Sequence, residues 1–120
     1  MPDKSRPILV VEDDASAREG VLALLRNDGF SVEAAKTGQE ALDALEGGLQ
    51  PALMVIDLML PEVTGWELLK YVHDDPELRF VPTIVVTAAA DERTSVIADH
   101  VLTKPVDVSR LLTLVRTLAV

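Results

Sequence analysis

The chain has 120 residues, 48% of them hydrophobic, which is the size and composition of one domain around one filled core. It contains no cysteine, which excludes disulfides, thiolate metal sites and cysteine nucleophiles, and its formal net charge of −9 argues against direct binding to a nucleic-acid backbone. Its apolar runs are too short to cross a bilayer and no charged-then-apolar leader precedes Ile8, so the expectation is a single domain over 1–120, cytoplasmic and without membrane insertion.

Apolar runs alternate with segments of helical period, the pattern of an α/β fold with a parallel sheet. The first run, Ile8 to Val11, ends in Glu12, Asp13 and Asp14. Asp14 reads as the cap of a first helix with Ala17, Val21 and Leu24 as its apolar stripe and Gly29 at its close. A mixed second strand near Ser31 to Ala35 precedes Thr37-Gly38-Gln39-Glu40, a capping box for a helix with Ala41, Leu42 and Leu45 inward. The third strand, Ala52 to Ile56, is apolar up to Asp57. Pro61 sits in the loop behind it, and Thr64-Gly65-Trp66-Glu67 opens a helix that buries Leu68, Leu69 and Val72. Trp66 and Tyr71 read as packing residues, and His73 to Glu77 as a polar turn. A fourth strand is expected at Thr83 to Thr87 and a short fifth near Val101 to Thr103. His100 reads as an ordinary surface or strand-edge histidine. After Pro105, Asp107 caps a last helix with Leu111, Leu114, Val115 and Leu118 inward.

Strands that are apolar throughout belong where helices cover both faces, which places the first, third and fourth inside and the mixed second and short fifth at the edges. The expected fold is therefore flavodoxin-like, a (βα)5 doubly wound parallel sheet in the order 2-1-3-4-5, with its ligand site outside the carboxyl ends of the strands.

Those ends carry Glu12 and Asp13, Asp57, Thr87 and Lys104. A parallel sheet brings them to one edge. Two unit charges ~4 Å apart at an effective dielectric of ~20 interact by roughly 4 kcal/mol, so three gathered carboxylates require a cation. A hard ion such as Mg²⁺ suits an all-oxygen set, whereas His73 and His100 lie away from these acids and do not suggest zinc. In such a setting Asp57 can attack phosphorus to form an aspartyl-phosphate, with Lys104 pairing the new anion. Thr87 and backbone N–H groups near Met59 and Ala88 would donate to the phosphoryl oxygens. Taken singly, each residue has a plainer reading as a solvated acid, a surface lysine or a strand-end threonine; their joint position marks a site.

Ile8 to Asp14, Asp57-Leu58-Met59-Leu60-Pro61 with Gly65, Thr87-Ala88 and Lys104-Pro105 together resemble the response-regulator receiver family of two-component signalling, in this order and over nearly the whole chain. The resemblance implies Glu12 and Asp13 as the acidic metal pair, Asp57 as phosphoacceptor and metal ligand, and Met59 as a ligand through its backbone carbonyl. It implies Thr87 as the switch hydroxyl, Lys104 as the phosphate-pairing lysine, and a cis Lys104-Pro105 bond. It also implies Mg²⁺ as cofactor, a sensor histidine kinase or phosphotransfer protein as phosphoryl donor, and a downstream protein partner whose identity stays open. The chain departs from the pattern between Thr87 and Lys104, which is roughly five residues short, or about 7 Å of helix at 1.5 Å per residue. The fourth helix is expected to be shortened, displaced or absent. Val101 also stands where many relatives place an aromatic switch residue.

Two other functions compete with a phosphoacceptor that is not itself a turnover enzyme. A small Mg²⁺-dependent phosphohydrolase with an aspartate nucleophile would want a second aspartate two residues on, where this chain has Met59. A receiver-like interaction module would bind partners without ever taking phosphate.

Overall fold

The computed structural model describes residues 6–88 and 98–119. In chain order the elements are β1 (Ile8–Val11), α1 (Ala15–Asn27), β2 (Val32–Ala35), α2 (Gly38–Glu46), β3 (Leu53–Ile56), α3 (Gly65–Asp74), β4 (Thr83–Thr87), β5 (His100–Thr103) and α4 (Val108–Leu118). All strand pairs are parallel and the sheet order is β2-β1-β3-β4-β5, as the strand compositions predicted. The altered stretch expected before Lys104 falls largely on residues 89–97, outside the described residues.

Successive strand side chains point to opposite faces, so each central strand feeds two cores. Leu9, Val11, Met54, Ile56 and Val85 meet Ala41, Leu45, Leu68, Leu69 and Val72 of α2 and α3. Ile8, Val10, Leu53, Val55, Ile84 and Val86 meet Leu22 and Leu25 of α1 and Leu111 and Val115 of α4. β1, β3 and β4 are buried along their whole length, whereas β2 exposes Glu33 and Ala34 and lies at an edge. Trp66 and Tyr71 pack half-buried against the α2/α3 core, and so does Val101 from β5.

The helix starts follow their caps. Asp14 accepts from the Ala17 N–H, Thr37 from Glu40, Thr64 from Glu67 and Asp107 from Arg110, each satisfying a first-turn donor that has no partner within its helix. The box at α2 is offset by one residue: Glu40 Oε1 accepts from the Lys36 N–H, at 3.1 Å.

Two expectations need correction. In α1 the fully buried stripe is Arg18, Leu22 and Leu25, at i, i+4 and i+7, while Ala17, Val21 and Leu24 are only half-buried. The reading by apolar residue type set the stripe one position early because it passed over an arginine. His73 and Asp74 belong to α3, and the turn begins at Asp75, whose carboxylate accepts from the Glu77 N–H.

Candidate functional site

The parallel register sets the heights of the strand ends. Val11 pairs with Ile56 across β1 and β3, and the Asp57 N–H donates to the Val11 carbonyl at 3.0 Å, so Glu12 and Asp57 leave the sheet side by side. Thr87 pairs with Thr103 across β4 and β5, and the Lys104 N–H donates to the Thr87 carbonyl at 2.9 Å. Lys104 therefore starts at the same edge, although 47 residues separate it from Asp57 in sequence. The Lys104-Pro105 peptide bond that follows is cis, as the resemblance implied.

From there the Lys104 ammonium reaches across β4 and β3. Its Nζ donates to Glu12 Oε1 at 2.9 Å and to Asp57 Oδ2 at 3.1 Å. Asp57 Oδ1 accepts from the Met59 N–H at 3.0 Å, so both oxygens of this carboxylate are engaged and its plane is fixed. Glu12 Oε2 accepts weakly from the Asp14 N–H at 3.4 Å. One ligand oxygen from each of Glu12, Asp13 and Asp57 lies within 4.8 Å of the others. Glu12 and Asp57 are buried, at 7% and 6% exposure, while Asp13 is exposed at the rim.

Burial holds the Glu12 carboxyl above its ordinary value; the Lys104 hydrogen bond pulls it back, and the neighbouring Asp57 pushes it up again. Burial by itself would lower the Lys104 ammonium, but the hydrogen bonds to Glu12 and Asp57, with their charges, outweigh it and leave the group raised. Lys104 therefore stays protonated. One ammonium facing three carboxylates leaves the cluster short of positive charge, and an all-oxygen donor set at this spacing fits a hard divalent ion such as Mg²⁺. No histidine joins the cluster among the described residues.

Of the predicted residues, Glu12, Asp13, Asp57 and Lys104 converge. The Met59 side chain points out, 65% exposed, while its backbone N–H serves Asp57. Thr87 is completely buried at the end of β4, held through its carbonyl to Lys104. The sequence reading overlooked Arg18, which is buried beneath the β1–α1 turn with Nη1 donating to the Glu12 carbonyl at 3.0 Å and to the Asp13 carbonyl at 3.4 Å. The available signal was its position: an arginine in helical phase with Leu22 and Leu25 lies on the buried stripe.

Gly65 and an open cleft complete the surroundings. A Cβ on Gly65 would come within 2.5 Å of the Asp57 carbonyl and 2.6 Å of Leu58 Cα, so α3 packs backbone to backbone under the loop that follows β3. On the opposite face a mostly apolar cleft of about 510 Å³ runs from Glu12, Asp57 and Lys104 between α1 and α4, past Ala17, Gly20, Val21, Val106 and Val108.

A family model described as the response regulator receiver domain matches residues 8–116. The chain is 40% identical over 103 residues to response regulator RR06 of Streptococcus pneumoniae, covering 82% of this chain and 46% of that protein. It is 37% identical over 86 residues to the polar-differentiation response regulator DivK of Brucella ovis, covering 72% of this chain and 69% of that one. The chain thus spans under half the length of the first of these curated relatives. Among solved structures it is similar to the receiver domain of a signal transduction histidine kinase from Syntrophus aciditrophicus, with TM-score 0.85, 31% identity and coverage of 95% and 89% of the two chains. A CheY-like receiver domain protein from Methanospirillum hungatei gives TM-score 0.84 at 31% identity, covering 93% and 91%. Among the described residues no helix is long and apolar enough to cross a membrane.

Proposed function

The chain belongs to the response-regulator receiver family of two-component systems, and from that premise we propose that it is a phosphoacceptor whose Asp57 takes a phosphoryl group in an Mg²⁺-dependent reaction. The observation that carries this reading is the double hold of Lys104 on Glu12 and Asp57 beside the rim carboxylate of Asp13. Glu12, Asp13 and Asp57, with the Met59 backbone carbonyl, would hold the ion. When bound, Mg²⁺ supplies positive charge that offsets the acids and the incoming phosphoryl oxygens.

The chain's own groups account for the rest. An Asp57 oxygen forms a bond to phosphorus as the bond from phosphorus to the donor imidazole nitrogen breaks, and the electron pair leaves with that nitrogen. The Met59 N–H and Lys104 orient the carboxylate before attack. Afterwards Lys104 pairs with the phosphoryl oxygens, to which the Thr87 hydroxyl and the Met59 and Ala88 N–H groups also donate. The modification adds about −1.5 to −2 charge at the place where Lys104 now bridges two carboxylates, so that bridge must rearrange. A sensor histidine kinase or phosphotransfer protein is the donor, a downstream protein reads the change, and the relay works in the cytoplasm.

The test is incubation with Mg²⁺ and acetyl phosphate, followed by intact mass measurement of wild type and Asp57→Ala. A single acid-stable, alkali-labile phosphoryl adduct is expected in wild type only. No adduct in wild type would favour a module that signals by binding alone, and repeated turnover of phosphate esters would favour a phosphohydrolase.

A further inference from the structure

A buried arginine is unusual without a carboxylate partner, because its charge loses water and needs compensation. Arg18 is only 8% exposed, and among the described residues it forms no ion pair. Its side-chain hydrogen bonds instead go to two backbone carbonyls, those of Glu12 and Asp13. These are the first two carbonyls beyond the β1 ladder, whose last acceptor is the Val11 oxygen bonded by Asp57. The sheet holds the peptide that precedes Glu12, whose N–H donates to the Ala35 carbonyl of β2 at 3.1 Å. Among the described residues Arg18 supplies the side-chain donor to the two carbonyls that follow, in the turn from which Glu12 and Asp13 project their carboxylates.

We propose that Arg18 is a positioning residue for the cation site: by gripping the Glu12 and Asp13 carbonyls it aims both carboxylates toward the ion while leaving their oxygens free. This rests on the phosphoacceptor reading given above. The division of labour with Lys104 follows from where each cation binds. Lys104 sits on the carboxylate oxygens themselves and so competes with an ion for them. Arg18 reaches the same turn through the main chain, and brings a positive charge to it without a hydrogen bond to any of the clustered carboxylate oxygens. Groups that orient metal ligands in this indirect way typically change metal affinity by about 10–100-fold when removed.

The test is an Mg²⁺ titration of wild type, Arg18→Met and Arg18→Lys, followed through the backbone amide NMR shifts of residues 12–14 and accompanied by thermal melts in chelator. For Arg18→Met the apparent Kd is expected to rise about 10-fold or more, and the amides of Asp13 and Asp14 are expected to move even without metal. Arg18→Lys keeps the charge and a donor but ends in a compact ammonium on a stem of different reach from the Nη1 that serves both carbonyls, so its Kd should fall between the two. With acetyl phosphate, the Arg18→Met defect should appear as a higher Mg²⁺ requirement with the maximal adduct-forming rate largely regained at saturation. A Kd within about twofold of wild type for both variants, with a lower melting temperature in chelator, would show Arg18 to be structural only and overturn the proposal. If Arg18→Met does not fold, an unchanged Kd in Arg18→Lys overturns it by itself. Wild type that takes up no Mg²⁺ sinks the phosphoacceptor reading together with this one, whereas wild type that binds and variants that bind equally sink this one alone.

Discussion

On the face of the sheet covered by α2 and α3, glycines stand where backbone meets backbone; on the face covered by α1 and α4, Gly20 looks into open space. A Cβ on Gly38 would collide with the Val63 carbonyl, and one on Gly65 with the Asp57 carbonyl and Leu58. The first face therefore clamps the loop that presents Asp57, from Leu58 to Thr64, against two helix N-termini. The second face keeps a cleft that leads to the same carboxylate. On the proposed function both properties are needed, an aspartate that does not wander and an approach that a donor can use, and the geometry places the first on one side of the sheet and offers a cleft for the second on the other.

The largest effect should come from breaking the clamp. Gly65→Ala places a methyl group against backbone atoms that cannot rotate away, and overpacking of this kind costs about 1–3 kcal/mol and sometimes more. The expected result is a stability loss of roughly 3 kcal/mol in urea titration, with slowed adduct formation at Asp57. Full stability together with normal adduct formation would show that the loop has slack on this face.

That clamp was only partly legible beforehand. Thr64-Gly65-Trp66-Glu67 announced a helix start, and the resemblance singled out Gly65, but nothing local to the sequence says which backbone a glycine lies against. The sheet order was readable because burial on both faces leaves a compositional trace: β1, β3 and β4 are apolar at nearly every position, and β2 is not. The convergence of Glu12, Asp57 and Lys104 followed from that order, since parallel strands place their carboxyl ends on one edge. Arg18 escaped because its partners are main-chain carbonyls, which every sequence has and none advertises. The extent of α3 was misjudged at His73 because polar residues on an exposed final turn resemble a loop.

A smaller effect, distinguished by its sign, sharpens the view of the edge the two faces share. In the metal-free protein burial holds the Glu12 carboxyl above its ordinary value of 4.5. A carboxyl raised on folding binds its proton more tightly in the native state, so it favours folding fully below 4.5 and loses that contribution as pH rises through the native value. In chelator, wild type should therefore lose stability relative to Glu12→Gln as pH climbs from 4.5, and denaturant midpoints across that range read the slope. A difference that grows in favour of wild type would mean that the Lys104 pairing outweighs desolvation.

On the open face, Gly20→Ala should do the reverse of Gly65→Ala. Gly20 is exposed in the interior of α1, its added methyl would meet nothing within 4 Å, and alanine is the better helix former by about 0.8–1.0 kcal/mol. A gain of roughly that size in the urea midpoint is expected, and a loss would reveal that the cleft wall between α1 and α4 is tighter than its geometry indicates.

The smallest effect lies where that open face is drawn together again. Arg116 of α4 donates from Nε and Nη2 to both oxygens of Asp28, the C-cap of α1, at 2.9 and 2.7 Å. Asp28 carries its negative charge where the last carbonyls of α1 point, an unfavourable place for an anion, so the arginine relieves the end of one helix while tying it to the other. The pair is solvent-exposed on the arginine side, where an ion pair contributes only marginally to stability. Arg116→Ala should cost correspondingly little, and the cost should shrink toward zero in 1 M salt, where the screening length falls to about 3 Å. A loss that salt does not diminish would locate the contribution in the apolar stem of Arg116, and would make this tie between α1 and α4 hydrophobic rather than ionic.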